Sequence, residues 1–452
     1  MKLRVLTIAA SIACCSLTAP LAQTPVVDRA ALAAAVKAEF LHAWNGYKKY
    51  AWGHDDFDPV SKKPRDWYPP EVIYMTPVDS LDTMLIMGLK AEAAEAQAII
   101  LEKLSFDKDI SVQVFEVNIR ILGGLLSAYE MTGEKKFLTL AEDLGRRLLP
   151  AFKSKTGMPY RYVNLRTGAV RDGVNNPAEI GTLILEFGTL SRHTGNKAFF
   201  EATKRAIVEL YKRRDPATGL VGTTIDVETG EWRNTSTSVG AMVDSYYEYL
   251  LKCERLFGDA DCGAMWKESI AAVNTHLADD LPGGLWYGAA DMKVGKRTRT
   301  VYGALHAFMP GLLAMGGDLD RARRLQESGY KMWNLHGIEP ELLDYSKMQA
   351  VSAGYQLRPE IMESAYILSH YTKDARYLEM GKTFFDALVT HCRVEDGYTS
   401  LRSVVTKEKG DRMHSFFLAE TLKYLYLLFE PGALDFDAHI FNTEAHPFKR
   451  SR

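Results

Sequence analysis

Several features that mark other protein classes are missing from this chain of 452 residues. No charge sign dominates, because 55 Lys and Arg stand against 57 Asp and Glu, for a formal net charge of -2. Proteins that grip nucleic acid or an anionic membrane carry a basic excess, so neither partner is expected. The sequence has no serine-nucleophile elbow, P-loop, GxGxxG or HExxH motif, which argues against esterases, NTPases, dehydrogenases and zincins.

Cysteine is scarce, with five in the whole chain. Two of them lie in the N-terminal leader, which leaves Cys253, Cys262 and Cys392. An odd number cannot pair completely within one chain. Cys253 and Cys262 are close enough for a local disulfide in an oxidising compartment, and three packed thiols are the alternative. No CxxC or Cys/His cluster at zinc spacing is present, so a structural zinc site is not expected.

The chain also lacks a long apolar run. Residues 1–22 contain Lys2 and Arg4, a short apolar stretch and small residues ending near Ala22. This layout predicts a cleaved signal peptide, and its apolar part is too short for a comfortable membrane span. An uncleaved anchor, or lipidation at Cys14, is the alternative. We expect a secreted or periplasmic protein with no integral membrane span after cleavage.

Ser/Pro-rich and low-complexity linkers are absent as well, although the length would suit about three domains. Instead, similar phrases recur at intervals of roughly sixty residues or a multiple of that. Each has a polar start followed by apolar residues at i, i+3, i+4 and i+7, which predicts an amphipathic helix. The clearest are TGEKKFLTLAEDLGRRLL from Thr132, TGNKAFFEATKRAIVELY from Thr194 and TKDARYLEMGKTFFDALV from Thr372. A repeat of this length indicates stacked units, so residues 23–452 are predicted to form one domain.

A second, more apolar helix precedes each of these phrases, as in VQVFEVNIRILGGLLSAYEM and LRPEIMESAYILSHY. Helices that are apolar on several faces are covered on both sides. The pattern therefore predicts an all-α fold, a toroid with two concentric rings of helices. Gly-bounded, β-prone stretches such as GMPYRYVNLRTG are predicted to be hairpins at one mouth of the barrel.

Polar residues inside the inner helices are the informative ones, because such positions are normally apolar. One per repeat gives a set spaced 54 to 65 residues apart: Glu116, Glu179, Asp244, His306, Glu360 and Glu420. The period that stacks the helices places these side chains at a similar height around one cavity. Crowded carboxylates need protons, hydroxyls, arginines or a cation to hold them. The alternative is that each acid is a helix cap or an ion pair within its own repeat.

Acids combined with aromatic side chains suit a neutral, polyhydroxylated ligand. Glycoside hydrolysis requires two carboxyl groups, one protonated and one ionised. The residues alone therefore indicate a toroid that acts on a carbohydrate, without identifying the sugar.

At these phrases the sequence resembles the class I α-mannosidases, glycoside hydrolase family 47. The resemblance covers nearly all of the chain after the leader, and the short leader suggests a bacterial-like member. The matching phrases are AWNGYKKYAWGHDDFDP, VDSLDTMLIMGL, FEVNIRILGGLLSAY, AEIGTLILEF, VDSYYEYLLK, YQLRPEIMESAYIL, SFFLAETLKYLYLLF and FNTEAHP. It implies an (α/α)7 barrel plugged by a C-terminal hairpin, and Ca²⁺-dependent removal of α-1,2-linked mannose with inversion. The expected partner is an α-mannoside oligosaccharide, and the protein is expected to be a monomer.

The resemblance also implies residue roles. Glu116 is the expected general acid and Glu360 the general base, while Asp244 could share or take over the acid function. Thr443 is the expected Ca²⁺ ligand, through its hydroxyl and its backbone carbonyl. The sugar is expected to stack on Phe416, Arg120 and Arg358 to position the acid groups and the substrate, and His306 to line the site. Waters bound to the cation are expected to be held by four acids: Glu179, Glu363, Glu420 and Glu444.

Two departures from the family pattern stand out: HAFMPG carries no cysteine, and His414 precedes SFFLAET. Neither touches the expected catalytic residues. Two rival functions remain open at this point. One is a glycan-binding or quality-control protein with little hydrolysis, and the other is a toroid hydrolase for another α-linked sugar.

Overall fold

A computed structural model describes residues 27–450 of the protein. The predicted signal peptide at residues 1–22 lies outside these described residues. Within them, two rings of seven helices each form a toroid, which confirms the predicted fold class. The outer helices are α1 (Arg29–Ala51), α3 (Lys90–Lys103), α6 (Lys135–Leu148), α9 (Lys197–Lys212), α11 (Ala260–His276), α13 (Leu319–His336) and α15 (Arg376–His391).

The inner ring alternates with the outer one along the chain. Several inner helices are built from two segments, and two of them contain a π-helical turn, at Asn118–Leu122 and Phe417–Thr421. The segments are α2 (Met75–Ile86), α4 (Val114–Val117), α5 (Gly123–Thr132), α7 (Pro177–Gly181), α8 (Ile184–Thr194), α10 (Asp244–Phe257), α12 (Met309–Met315), α14 (Glu360–Thr372) and α16 (Leu422–Phe429). Short 3-10 turns lie at Leu149–Phe152, Ala304–Phe308 and Pro431–Ala433.

Each inner helix packs on the outer helix that follows it in the chain, as α8 does on α9 and α10 on α11. The last inner helix, α16, packs instead on the first outer helix, α1, and the π-turn before α16 contacts α2. These contacts close both rings. A single repeat could not bury its helices alone, and the closed ring supplies every helix with neighbours.

The repeated phrase marks the junction between an inner and an outer helix. In TGEKKF, Gly133 adopts a φ of 74° and caps the end of α5, a left-handed conformation that favours glycine. Glu134 then caps α6 by accepting a hydrogen bond from the Lys136 backbone N–H. The TG pair therefore ends one helix and allows the next to begin.

The two rings differ in burial as the sequence predicts. Along outer helix α6, Phe137, Ala141, Leu144 and Leu148 are buried on one face. Along inner helix α14, all eight residues from Ile361 to Leu368 are buried. The inner helices thus carry the core, and their polar residues lie inside it.

Short antiparallel sheets join outer helices to the next inner helices, as predicted for the hairpins. The strands are β1 (Asp56–Asp58), β2 (Lys63–Arg65), β3 (Ser111–Gln113), β4 (Tyr162–Asn164), β5 (Val170–Arg171), β6 (Val174–Asn175), β7 (Thr224–Asp226), β8 (Trp232–Asn234), β9 (Ser236–Thr237), β10 (Ala278–Leu281), β11 (Gly284–Tyr287), β12 (Ala289–Asp291), β13 (Arg297–Arg299), β14 (Val301–Tyr302), β15 (Leu342–Asp344), β16 (Gln349–Ser352), β17 (Arg393–Val394), β18 (Gly397–Tyr398), β19 (Leu401–Ser403), β20 (Glu408–Lys409), β21 (His439–Phe441) and β22 (Pro447–Lys449). Three-stranded sheets such as β3–β4–β5 and β6–β7–β8 pair a strand of one repeat with the hairpin of the next.

The C-terminal hairpin of β21 and β22 packs against inner helices. Its register pairs His439 with Lys449 and Phe441 with Pro447. Strand β21 contacts α10, and β22 contacts α5. The connecting loop, residues 442–446, enters the barrel, where Asn442 and His446 are fully buried. This is the hairpin plug that the resemblance implies.

The cysteine alternatives are resolved in favour of a local bridge. Cys253, near the end of α10, forms a disulfide with Cys262 in the first turn of α11. Cys392 is a buried free thiol. The bridge joins an inner helix to its outer neighbour. Across residues 27–450, no helix combines the length and apolar character required to cross a membrane.

Candidate active site

A cavity of about 300 Å³ opens among the N-terminal ends of the inner helices. Asp244 is the first residue of α10 and Glu360 the first of α14, while Glu116 and Glu179 lie on the short segments α4 and α7. Helix N-termini favour negative charge, because their free N–H groups point outward. The barrel therefore brings several helix N-termini, which favour acidic side chains, together around one cavity.

Most of the predicted site residues line this cavity. The structure brings together Glu116, Arg120, Glu179, Asp244, Arg358, Glu360, Glu363, Phe416, Glu420, Thr443 and Glu444. The sixty-residue period therefore places the acids as expected. The grouping does not by itself assign a role to any of them.

His306 is not among the side chains that line the cavity. The residue is 6% exposed and lies behind Gly240, where an added β-carbon would stand 2.2 Å from His306 Cε1. Its Nδ1 accepts a hydrogen bond from the Gly303 N–H at 3.2 Å. Burial lowers its pKa to about 4, so the ring is neutral at pH 7. The period gives the position of His306 in its repeat, but it does not show that the ring packs against Gly240.

Arg120 connects two of the cavity acids. Its Nε donates to Glu116 Oε2 at 2.9 Å, as expected for residues one helical turn apart. Its Nη1 contacts the Glu444 carboxylate on the hairpin. The guanidinium therefore fixes the expected general acid relative to the plug.

Phe416 lies between two arginines. The guanidinium carbons of Arg120 and Arg358 stand 5.6 and 5.8 Å from its ring centroid, within the range of cation–π attraction. The ring also stacks on His414 at 5.1 Å. Phe416 is 7% exposed and borders the cavity, so it packs in the core and also presents part of its ring to the cavity.

Arg358 is held by an acid that the sequence analysis did not select. Its Nη2 lies 3.2 Å from Glu341 Oε2, and its Nε lies 3.3 Å from the same oxygen. Glu341 also accepts from the Gln356 backbone N–H at 3.0 Å. The pair orients the guanidinium toward the cavity beside Glu360.

Two of the candidate catalytic acids have raised pKa values. Burial, together with the charge of Glu248, raises the pKa of Asp244 to about 7. Burial raises the pKa of Glu360 to about 8, although Arg358 acts in the opposite direction. Glu360 Oε2 has no hydrogen-bond partner among residues 27–450. Without a bound cation or substrate, Glu360 is therefore mostly protonated and Asp244 about half protonated at pH 7.

A buried lysine contacts two acids that line the cavity. Lys252 pairs with Glu248 and lies 3.7 Å from Glu363 Oε1. Burial raises the pKa of Glu363 to about 7, and Lys252 offsets part of that effect. Burial raises the pKa values of Glu420 and Glu444 well above the usual range, helped by Glu444 for Glu420 and by Asp79 and Glu116 for Glu444, and opposed by Arg120 in both.

Glu179, like Glu116 with Arg120, fits the ion-pair alternative in part. Arg161 binds it through two nitrogens, at 2.8 and 2.9 Å, and Gln113 Nε2 donates at 3.1 Å. The cap of α7 is Asn176, which accepts from the Glu179 N–H at 3.0 Å. Glu179 is therefore paired within its repeat and borders the cavity as well.

The donor set of the cavity fits a hard cation that is held largely through waters. Oxygen is the ligand that Ca²⁺ prefers, and a cation would offset the repulsion that raises the pKa values of these carboxyls. Within residues 27–450, three Cys, His, Asp or Glu ligand atoms approach within 4.8 Å only at Cys253, Asp259 and Cys262. Two of those sulfurs form the disulfide. The cavity acids do not converge on one point. Their arrangement therefore fits a cation that the Thr443 oxygens would bind directly and the acids would contact through water molecules, better than a cation that the acids bind directly.

Four supporting residues were missed from the sequence: Arg161, Glu248, Lys252 and Glu341. Glu248 and Lys252 were detectable, because a Glu and a Lys four residues apart within the apolar phrase DSYYEYLLK are unusual. Arg161 and Glu341 lie in the hairpin segments between the helices. Only the three-dimensional arrangement connects them to the site.

A toroid of two helix rings with a central, acid-lined cavity and arginine-braced aromatic wall defines the protein as a carbohydrate-active enzyme. More specifically, the chain belongs to glycosyl hydrolase family 47, whose family model matches residues 39–450. It is a glycoside hydrolase, in agreement with the resemblance.

The relatives of the chain include proteins named as α-mannosidases and others named as alpha-mannosidase-like, such as ER degradation-enhancing alpha-mannosidase-like protein 2 of Homo sapiens. The chain is 38% identical over 445 residues to alpha-mannosidase I MNS5 of Arabidopsis thaliana, a match that covers 92% of this chain and 76% of that protein. It is also 38% identical over 445 residues to the endoplasmic reticulum mannosyl-oligosaccharide 1,2-alpha-mannosidase of Homo sapiens, covering 90% of this chain and 62% of the human one. The solved structure of an alpha-1,2-mannosidase from Trichoderma reesei superposes with a TM-score of 0.85 at 28% identity, covering 93% and 99% of the two chains.

Proposed function

We propose that this glycoside hydrolase is an exo-acting, inverting α-1,2-mannosidase that requires Ca²⁺. Its substrate is the terminal α-1,2-linked mannose of a mannobiose or a high-mannose-type glycan. The observation that carries the proposal is the joint presence of Glu116, Asp244 and Glu360 on one sugar-sized cavity. The names of the relatives supply the sugar and the linkage.

Inversion needs a base on one side of the sugar ring and an acid at the leaving oxygen, with a water between base and sugar. Glu360 is the proposed base, which takes a proton from the attacking water. The proton donor is drawn from Glu116 and Asp244. The pKa of Asp244, raised to about 7, keeps a large protonated fraction at neutral pH, which suits a general acid.

The other cavity residues orient the sugar. Phe416 offers a ring face for the apolar side of mannose, and Arg120 and Arg358 flank it with donors for sugar hydroxyls. Glu363 and Glu420 offer acceptors at the depth of the cavity. Together they fix the sugar relative to Glu360, which is worth a large part of the rate in such reactions.

The proposed Ca²⁺ site lies at the tip of the hairpin. The Thr443 hydroxyl and carbonyl would hold the ion, and Glu179, Glu363, Glu420 and Glu444 would hold its waters. When bound, the ion supplies positive charge that keeps neighbouring carboxyls ionised and orients sugar hydroxyls. Glu360 must be ionised to act as base, and its pKa of about 8 without a cation supports the proposal that a cation binds nearby.

We further propose that residues 1–22 are removed on export and that the mature protein acts as a secreted or periplasmic monomer. Mass spectrometry of the protein recovered outside the cytoplasm tests the cleavage position. Light scattering of the same material tests the monomer.

The stereochemical outcome tests the mechanism. Proton NMR during hydrolysis of an α-1,2-linked mannobiose should show β-mannose as the first product, before mutarotation. Initial α-mannose would overturn inversion and with it the role of Glu360 as base toward water. The Glu408→Gln variant, altered on an exposed hairpin, is the control for expression and handling.

A further inference from the structure

The loop of the C-terminal hairpin is held by a buried ionic cluster that none of the proposed catalytic steps uses. Asp79 and Asp82 lie on α2, Lys423 on α16 and His446 on the hairpin, and each is at most 1% exposed. His446 Nδ1 stands 2.6 Å from Asp82 Oδ2, and its Nε2 stands 3.2 Å from Asp79 Oδ1. Lys423 Nζ lies 2.7 Å from Asp82 Oδ1.

The cluster bonds the backbone of the loop as well as its side chains. Lys423 Nζ donates to the Ala445 carbonyl at 2.6 Å. Asn442 Oδ1 accepts from the backbone N–H groups of Glu444 and His446 at 2.9 and 2.8 Å. The residues on both sides of Thr443 are thus fixed through buried, charged or amide partners.

Charge balance extends from this cluster into the cavity. Arg120 Nη1 lies 3.6 Å from Asp79 Oδ2 and also contacts Glu444. Arg120 and Glu444 thereby add one basic and one acidic group to the two acids and two basic groups of the cluster. Breaking one buried pair leaves an uncompensated charge and is strongly destabilising. The buried ion pairs therefore favour a single position of the loop.

Two consecutive glycines on α5 allow the hairpin loop to pack in that position. A β-carbon at Gly123 of α5 would stand 2.7 Å from Asn442 Nδ2 and 2.9 Å from His446 Cδ2. At Gly124 it would stand 2.8 Å from the Val78 carbonyl and 3.3 Å from His446 Cε1. The inner helix therefore has no side chain where the hairpin loop approaches it.

We propose that this buried cluster holds the hairpin tip in the conformation that binds the cation. We call the cluster the lock; it consists of Asp79, Asp82, Lys423 and His446 and packs against Gly123 and Gly124. The lock residues do not touch the substrate and are positioning residues, acting through Thr443 and Glu444. This inference rests on the proposed Ca²⁺ site at Thr443. Preorganisation of this kind raises affinity, because the loop need not be ordered when the ion binds.

Two variants perturb the lock by different means. The double variant Asp82→Asn with Lys423→Met removes one negative and one positive charge, so the cluster stays balanced. Gly123→Ala keeps every charge and wedges a methyl group under Asn442 and His446. The matched control is Gly329→Ala on outer helix α13, where a β-carbon meets its nearest atom, Ile361 Cδ1, at an ordinary 3.5 Å.

Calorimetry of Ca²⁺ binding to the metal-free protein, with hydrogen exchange of the hairpin amides, tests the proposal without using activity. We expect both lock variants to bind Ca²⁺ about 10- to 100-fold more weakly and the amides of β21, β22 and their loop to exchange about tenfold faster. The control should stay within about twofold of the parent in both measurements.

Unchanged Ca²⁺ affinity in a lock variant whose hairpin exchanges faster would overturn the proposal, and so would unchanged exchange. If one variant does not fold, the other decides. Failure of the unaltered protein to bind Ca²⁺ would instead contradict the proposed function. Hairpin exchange in the variants would then judge the lock alone.

Discussion

The Arg120 guanidinium binds Glu116 at 2.9 Å on its own helix and Glu444 on the C-terminal hairpin. One planar side chain thus links Glu116, one of the two candidate general acids, to the proposed cation site. Lysine has the same charge without the fork geometry. We expect Arg120→Lys to lower kcat by about 10²-fold through misplacement of Glu116, as measured by steady-state kinetics. Arg402→Lys on an exposed hairpin is the control, and a near-normal kcat for Arg120→Lys would show that the link is dispensable.

Glu360 is the proposed base. Replacing it with Gln keeps the side-chain volume and removes proton acceptance, so kcat should fall by about 10²- to 10⁴-fold. Substrate binding should survive, which calorimetry with an α-1,2-mannobiose can show. Turnover within a few-fold of the parent would remove Glu360 from the role of base.

The choice between Asp244 and Glu116 as general acid depends on the leaving group. Fluoride leaves without a strong need for protonation, so the variant that lacks the acid should hydrolyse α-mannosyl fluoride much better than mannobiose. The pKa of Asp244, about 7, leads us to expect this rescue in Asp244→Asn. Rescue in Glu116→Gln alone would assign the acid to Glu116.

The stability of the metal-free protein should fall as pH rises. Burial raises the pKa values of Asp244, Glu360 and Glu363 to about 7, 8 and 7, whereas the unfolded carboxyls titrate near pH 4. Between these limits the folded state binds more protons, so the free energy of unfolding decreases with pH. Asp82 has the opposite effect, because the neighbouring Lys423 and His446 lower its pKa to about 2 despite burial. Its contribution to stability is lost only as the pH falls below about 4, outside these limits.

Calorimetric Tm values from about pH 5 to pH 8 check this expectation. Added Ca²⁺ should reverse the trend, since it binds ionised carboxylates and stabilises more at higher pH. A Tm that rises with pH in the presence of a chelator would contradict the burial of these acids in their protonated forms.

The sequence contained more of the fold than of the site. The sixty-residue period and the change from one-faced to all-round apolar helices predicted both rings, because each is a local pattern. The same period predicted the acids, since one position per repeat points inward. For His306 it did not show that the ring packs against Gly240 and is not among the residues that line the cavity.

Partners from other segments could not be predicted from local patterns. Arg161 contacts Glu179, and Glu341 contacts Arg358, only in the folded arrangement of the hairpin segments. The cluster around His446 joins α2, α16 and the hairpin, with Asp82 and His446 separated by 364 residues. The cation expectation came from the family resemblance, because the cavity acids do not have the spacing of a known metal motif.

Hydrolysis of a panel of mannobioses that differ only in linkage, with Ca²⁺ and with excess EDTA, tests the central claim most directly. The account predicts mannose release from the α-1,2-linked isomer, little from the α-1,3, α-1,4 and α-1,6 isomers, loss of release in EDTA and recovery with Ca²⁺. Undiminished hydrolysis in EDTA would contradict the Thr443 cation site. Binding of the α-1,2 isomer without cleavage would contradict the assignment of this cavity as a working α-1,2-mannosidase site.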